Sequence, residues 1–177
     1  MRLFIALDLP GDVRAALAAW VERAAPAAVR RVPVDNLHVT LAFLGERSSD
    51  DATAAAALLP GLARPLPELA SAGALWLPPR RPGVLTVALE AGEALAALQA
   101  DLVADLESAI GFEAERRRFR PHVTVGRVPR GTRIDTRDSL EPPAPELRFR
   151  ARALTLYRSH TGRQGARYEP LSAVELA

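Results

Sequence analysis

Two short segments hold residues with chemistry to offer at matching spacing: His38-Val39-Thr40-Leu41 and His122-Val123-Thr124-Val125. Their aliphatic surroundings favour extended chain. Strand side chains alternate between faces, so each segment turns its histidine and threonine to one face and its apolar residues to the other. An imidazole titrates near about 6.5, so around neutral pH one ring can accept a proton while a second, charged, donates one. If a pseudo-twofold axis relates the segments, the two rings face one another across a cleft. That suits a phosphodiester: one ring takes a proton from water and the other protonates the departing ribose oxygen. The threonine hydroxyls can donate hydrogen bonds to the non-bridging phosphoryl oxygens.

A lone histidine in an amphipathic strand is most often a surface residue or a satisfied core residue. Two copies of the same pattern at equivalent places favour the chemical reading. Arg127 follows the second segment in Thr124-Val125-Gly126-Arg127 and is a candidate phosphate ligand. Five positions after His122 it should point to the opposite face, unless Gly126 introduces a bulge or the strand ends there. The run Arg116, Arg117, Arg118, Phe119, Arg120 reads either as an RNA groove with a stacking ring or as a solvated edge strand. Ser159, Arg163 and Tyr168 are weaker candidates near a late hairpin, and Tyr157 reads as core. His160 is expected in a loop. A zinc site of His38, His122 and His160 lacks the short-range ligand spacings of known zinc motifs, so no metal is expected.

The elements that must position these residues follow from periodicity and punctuation. Residues 2 to 8 form a buried strand, stopped by Pro10-Gly11. Asp12 can cap a helix to about Ala25, with Val13, Leu17, Trp20 and Val21 on one stripe. A strand from Asn36 to Leu44 is closed by Gly45. A helix from Ser48 to Ala63 is disturbed at its end by Pro60-Gly61. A proline-rich connection, Pro65 to Pro82, permits only short or edge strands around Ala72 to Leu77 and marks the lobe boundary. Then the opening order recurs: strand Val84 to Leu89, helix Glu93 to Ile110, strand Pro121 to Val128. His38 stands 35 positions after Leu3 and His122 stands 37 after Leu85, which suggests a duplicated unit. The tail adds a strand Leu147 to Tyr157, a polar turn Ser159 to Gly165 whose tip could reach over a site, and a strand Arg167 to Val174.

The 177 residues suffice for one two-lobed domain spanning 1–177. There is no cysteine, which excludes disulfides and thiolate chemistry. Every one of the 23 basic residues is arginine, so the sequence pI of about 9.9 overstates a net charge of only +2. No apolar run reaches the roughly 20 residues of a membrane helix, and Asp8 interrupts the amino terminus too early for a signal peptide. The default is a cytoplasmic monomer without membrane contact. No glycine-rich nucleotide-binding loop is present, so neither ATP dependence nor any cofactor is expected.

Four stretches carry a resemblance across nearly the whole chain: Arg2-Leu3-Phe4-Ile5-Ala6-Leu7, Asn36 through Gly45, Arg120-Pro121-His122-Val123-Thr124-Val125-Gly126-Arg127, and Arg167-Tyr168-Glu169-Pro170-Leu171. In these the chain resembles the two-histidine phosphoesterase superfamily, and within it the RNA 2′,3′-cyclic phosphodiesterases, also called 2′-5′ RNA ligases. The resemblance implies a bilobal α+β fold, two antiparallel sheets flanked by helices with a cleft between them. It implies His38 as proton donor, His122 as proton acceptor, and Thr40 and Thr124 as phosphate-binding residues. The implied reaction opens a terminal 2′,3′-cyclic phosphate on RNA, tRNA fragments included, to a 2′-phosphate. With a 5′-hydroxyl in place of water the same geometry ligates. A sister phosphodiesterase for small cyclic nucleotides or 2′-5′ oligonucleotides would use the same residues. An RNA module that captures cyclic-phosphate ends without turnover is the alternative from another class.

Overall fold

The computed structural model describes residues 1–115, 117–136, 140–162 and 165–176. In chain order its elements are β1 (Arg2–Asp8), α1 (Gly11–Ala24), β2 (Arg30–Arg31), β3 (His38–Glu46), α2 (Ser49–Leu62), β4 (Leu69–Leu77), β5 (Val84–Leu89), α3 (Glu93–Ile110), β6 (His122–Arg127), β7 (Arg148–Phe149), β8 (Ala153–Gly162) and β9 (Gly165–Glu175). The strands lie in the order β7-β4-β5-β6-β3-β1-β8-β9, with β2 also on β6. The recorded pairings are all antiparallel. Two half-sheets make up this order, β9-β8-β1-β3 and β6-β5-β4-β7. One registered pair, Val39 with Val123, joins them. The α+β architecture with antiparallel half-sheets is the one that the resemblance implies.

Helices cover the sheet because their apolar residues recur at helical spacing. Leu95, Leu98, Leu102 and Leu106 of α3 are fully buried, and the helix packs on β3 and α2. The α1 stripe of Val13, Leu17, Trp20 and Val21 is buried where α1 meets β2 and β6. The start of α2 is fixed by a capping box: the Ser48 hydroxyl accepts from the Asp51 amide while the Asp51 carboxylate accepts from the Ser48 amide.

Several boundaries differ from the sequence expectation. Asp12 does not cap α1. It lies in the first turn, and the capping position is Pro10 without a side-chain bond. Asn36 belongs to a 3-10 turn, Val34–Asn36, and β3 begins at His38 and continues through Gly45, whose positive φ of 71° a glycine tolerates. The strand expected from Leu147 to Tyr157 is two strands: β7 pairs with β4, and β8 pairs with β1, so this stretch crosses from one half-sheet to the other. Residues 117–120 form no strand.

One irregularity occurs twice. Register slips between Ile5 and Ala6 where β1 meets β3, and between Leu85 and Thr86 where β5 meets β6. Both motif strands therefore bury two consecutive residues, Leu41-Ala42 and Val125-Gly126, instead of continuing to alternate. At Gly126 the neighbouring segment comes so close that an added Cβ would sit 2.5 Å from Val29 Cγ1. Gly126→Ala is expected to destabilise the fold by about 1–3 kcal/mol through overpacking. A urea titration would show a lower midpoint at unchanged slope; an unchanged midpoint would mean that the Val29 side chain yields freely.

Candidate active site

Val39 and Val123 point into the core, so their neighbours point the other way. Counting outward from that pair sets His38 opposite Thr124 and Thr40 opposite His122, all four half-buried on one face. The duplicated bulge decides the position of Arg127. Thr86 pairs with Thr124, but Val84 pairs with Arg127 after the slip, so Arg127 returns to the face of His122 and Thr124. The parity objection is removed by the bulge that Gly126 permits. On β3 the same count of five ends at Phe43, which is exposed and carries the Arg2 guanidinium 4.9 Å from its ring centroid.

Both imidazoles are held by the carbonyl two residues before them. His38 Nδ1 lies 2.8 Å from Asn36 O, and His122 Nδ1 lies 2.8 Å from Arg120 O. A carbonyl only accepts, so Nδ1 must carry a proton in each ring, and Nε2 is left as the nitrogen that gains and loses one. His38 Nε2 lies 3.0 Å from Thr40 Oγ1. The threonine donates to the neutral ring and accepts from the charged one.

The environments of the two histidines differ. Phe4 stacks on His38 with centroids 4.8 Å apart, and Tyr168 meets it edge-on at 5.4 Å. Burial pushes the His38 pKa below its ordinary 6.5; the Asn36 carbonyl and the Asp8 carboxylate oppose this, while Arg127 and His122 add to it. Asp8 is the cross-strand partner of His38 and accepts 2.8 Å bonds from Thr155 Oγ1 and Tyr157 OH. Burial, and then Asp8, raise the pKa of the Tyr157 phenol well above its usual range. A polar cavity of about 220 Å³ opens beside His38, among Asp8, Arg14, Asp35, Arg152, Tyr157 and Tyr168.

The other candidates divide. Arg116 and Arg163 lie outside the described residues. Arg117, Arg118 and Arg120 are exposed, but Phe119 packs against the core and is no free stacking surface. Tyr168 reaches His38, and Ser159 is its partner across β8 and β9. His160 is in β8, not a loop, with Nε2 2.6 Å from Glu169 Oε2. Among the described residues no three His, Asp or Glu side chains are grouped so as to hold a metal ion. Sequence reasoning missed Phe4, Asp8 and Asn36 and took Tyr157 for core. Asp8 had a signal, since it stands in phase with Phe4 and Ala6 on β1. The Asn36 carbonyl had none.

A family model for the 2′-5′ RNA ligase superfamily matches residues 9–163. The chain belongs to the 2′-5′ RNA ligase superfamily. It is similar to the RNA 2′,3′-cyclic phosphodiesterase of Escherichia coli K12, 30% identical with 96% of this chain and 93% of that protein covered. The protein of the same name from Thermus thermophilus is 36% identical over 72% of this chain and 68% of its own. The solved structure of TT0787 from Thermus thermophilus superposes with a TM-score of 0.83 at 30% identity, covering 99% of this chain and 98% of that one. Escherichia coli LigT complexed with 3′-AMP gives 0.75 at 33% identity, with 99% and 97% covered.

For this superfamily member, a ring-nitrogen NMR titration of the unliganded protein should show His38 with Nδ1 protonated throughout and a midpoint below 6.5. Added inorganic phosphate should raise that midpoint, because an anion stabilises the charged ring. A midpoint at or above 6.5 without ligand would contradict the effect of burial.

Proposed function

We propose that the protein hydrolyses the terminal 2′,3′-cyclic phosphate of RNA to a 2′-phosphate, with His38 as proton donor and His122 as proton acceptor. The observation that carries this reading is the pair of imidazoles with Nδ1 pinned to backbone carbonyls, sharing one face with two hydroxyls and Arg127 about the Val39–Val123 pair. Relatives of this chain bear the name of that activity.

In this mechanism water attacks phosphorus as His122 Nε2 takes its proton. The bond from phosphorus to the 3′ oxygen breaks, and His38 Nε2–H protonates that oxygen. The cycle ends with His38 neutral and His122 charged, and exchange with solvent resets both. Thr40 and Thr124 donate to the non-bridging oxygens, and Arg127 offsets their charge. Because burial holds the His38 pKa below 6.5, only a minority of His38 rings is charged at neutral pH before substrate binds. The anionic phosphodiester raises that fraction in the complex. A 5′-hydroxyl replacing water would yield a 2′-5′ linkage by the same transfers.

The test is incubation with an RNA ending in a 2′,3′-cyclic phosphate, in excess EDTA, followed by identification of the phosphate isomer. A 2′-phosphate is expected. His38→Ala and His122→Ala should each slow turnover by about 10²- to 10⁴-fold, and the double variant should be little worse than either. A 3′-phosphate would reverse the leaving group. Turnover indifferent to both histidines, or none in the parent, would overturn the assignment and favour a module that only captures RNA ends.

A further inference from the structure

The two halves of the site share a backbone plan but not their neighbours. On β3, His38 has Asp8 of β1 as its cross-strand partner. On β6, the corresponding partner of His122 is Ala88 of β5. Registered partners on one face hold their Cβ atoms about 4.5–5.5 Å apart, so one histidine has a carboxylate alongside and the other a methyl group. Nothing in the motif itself distinguishes the two rings.

We propose that Asp8 is a positioning residue that breaks the equivalence of the two histidines and favours the charged form of His38, the proton donor. The inference rests on the two-histidine reading above and assigns a role to a residue outside both motifs. Its geometry is fixed. Oδ1 accepts from Tyr157 and Oδ2 from Thr155, a fully buried hydroxyl, so the carboxylate neither rotates freely nor turns away to solvent. The groups about His38 explain the need. Arg127 from β6 presents positive charge, Phe4 excludes water on one ring face, and Tyr157 and Tyr168 approach from β8 and β9. Arg14 and Arg152 line the adjoining cavity with Glu175 of β9 and with Asp35, which lies 3.7 Å from Arg14. Asp8 is the carboxylate registered against the ring itself. It opposes, without overcoming, the burial and the neighbouring cations that lower the His38 pKa, so a buried donor keeps its charged form within reach. His122 has the Ala88 methyl group, not a carboxylate, as its registered partner on β5.

Asp8→Asn keeps the size and leaves one oxygen to accept from a hydroxyl while removing the charge. Ring-nitrogen titration of the substrate-free variant should place the His38 midpoint about one pH unit lower than in the parent. The limb of the kcat/KM profile that belongs to His38 should move with it, with activity at neutral pH falling about tenfold and partly recovering at lower pH. A purely structural defect would lower the whole profile without moving the limb. Ala88→Asp supplies the reciprocal test: the His122 midpoint should rise and its limb move to higher pH. An unmoved His38 midpoint in folded Asp8→Asn would overturn the proposal. Should that variant fail to fold, an unmoved His122 midpoint in Ala88→Asp would overturn it instead. The titrations need no substrate, so an inactive parent would sink the functional reading while the role of Asp8 was still judged.

Discussion

The pairing of Val39 with Val123 is the contact on which the site depends. Among the described residues it is the one registered link between the half-sheets, and it lies at the centre of both motifs. Fully burying a valine stabilises by about 1.5–3 kcal/mol, so the core holds both strands with their aliphatic sides inward. Alternation then leaves His38, Thr40, His122 and Thr124 no choice of face. Leu41 and Val125, also buried, extend the same constraint one step further along each strand.

Around this centre the duplication is closer in backbone than in side chain. Both strands bulge at the same step, and both histidines are held through Nδ1 by the carbonyl two residues earlier. Phosphodiester hydrolysis is not symmetric, because water attacks while an ester oxygen departs, and the side chains around the two histidines differ as well. Arg127 occupies the place that Phe43 holds in the first copy. Asp8 stands where the second copy has Ala88. Phe4, Tyr157 and Tyr168 surround His38.

The tail of the chain completes the first half of the site. Strand β8 supplies Thr155 and Tyr157 to Asp8, and β9 supplies Tyr168. Asn36 ties this hairpin to the motif: its side-chain amide donates to Ala166 O at 2.7 Å while its own carbonyl holds His38. Placement of the hairpin and orientation of the ring thus share one residue. The His160–Glu169 pair spans β8 and β9 farther along, where the Glu169 carboxylate is held below its usual pKa first by the hydrogen bond from His160.

Period-two alternation is a local property of extended chain, and so the sequence by itself determined that each His-x-Thr pair shares a face. It likewise determined β1, β5 and α3, whose apolar runs and bounding Gly and Pro residues are local signals. Tertiary structure decided what depends on which strands become neighbours. A bulge is a mismatch between two strands, so whether Arg127 faced the site could not follow from one of them. A cross-strand partner is set by register, so Asp8 read as a strand-ending carboxylate until β1 lay against β3. The split of the expected Leu147–Tyr157 strand has the same origin, since only the positions of β4 and β1 in different halves require the chain to break at Arg150–Arg152 and cross between them.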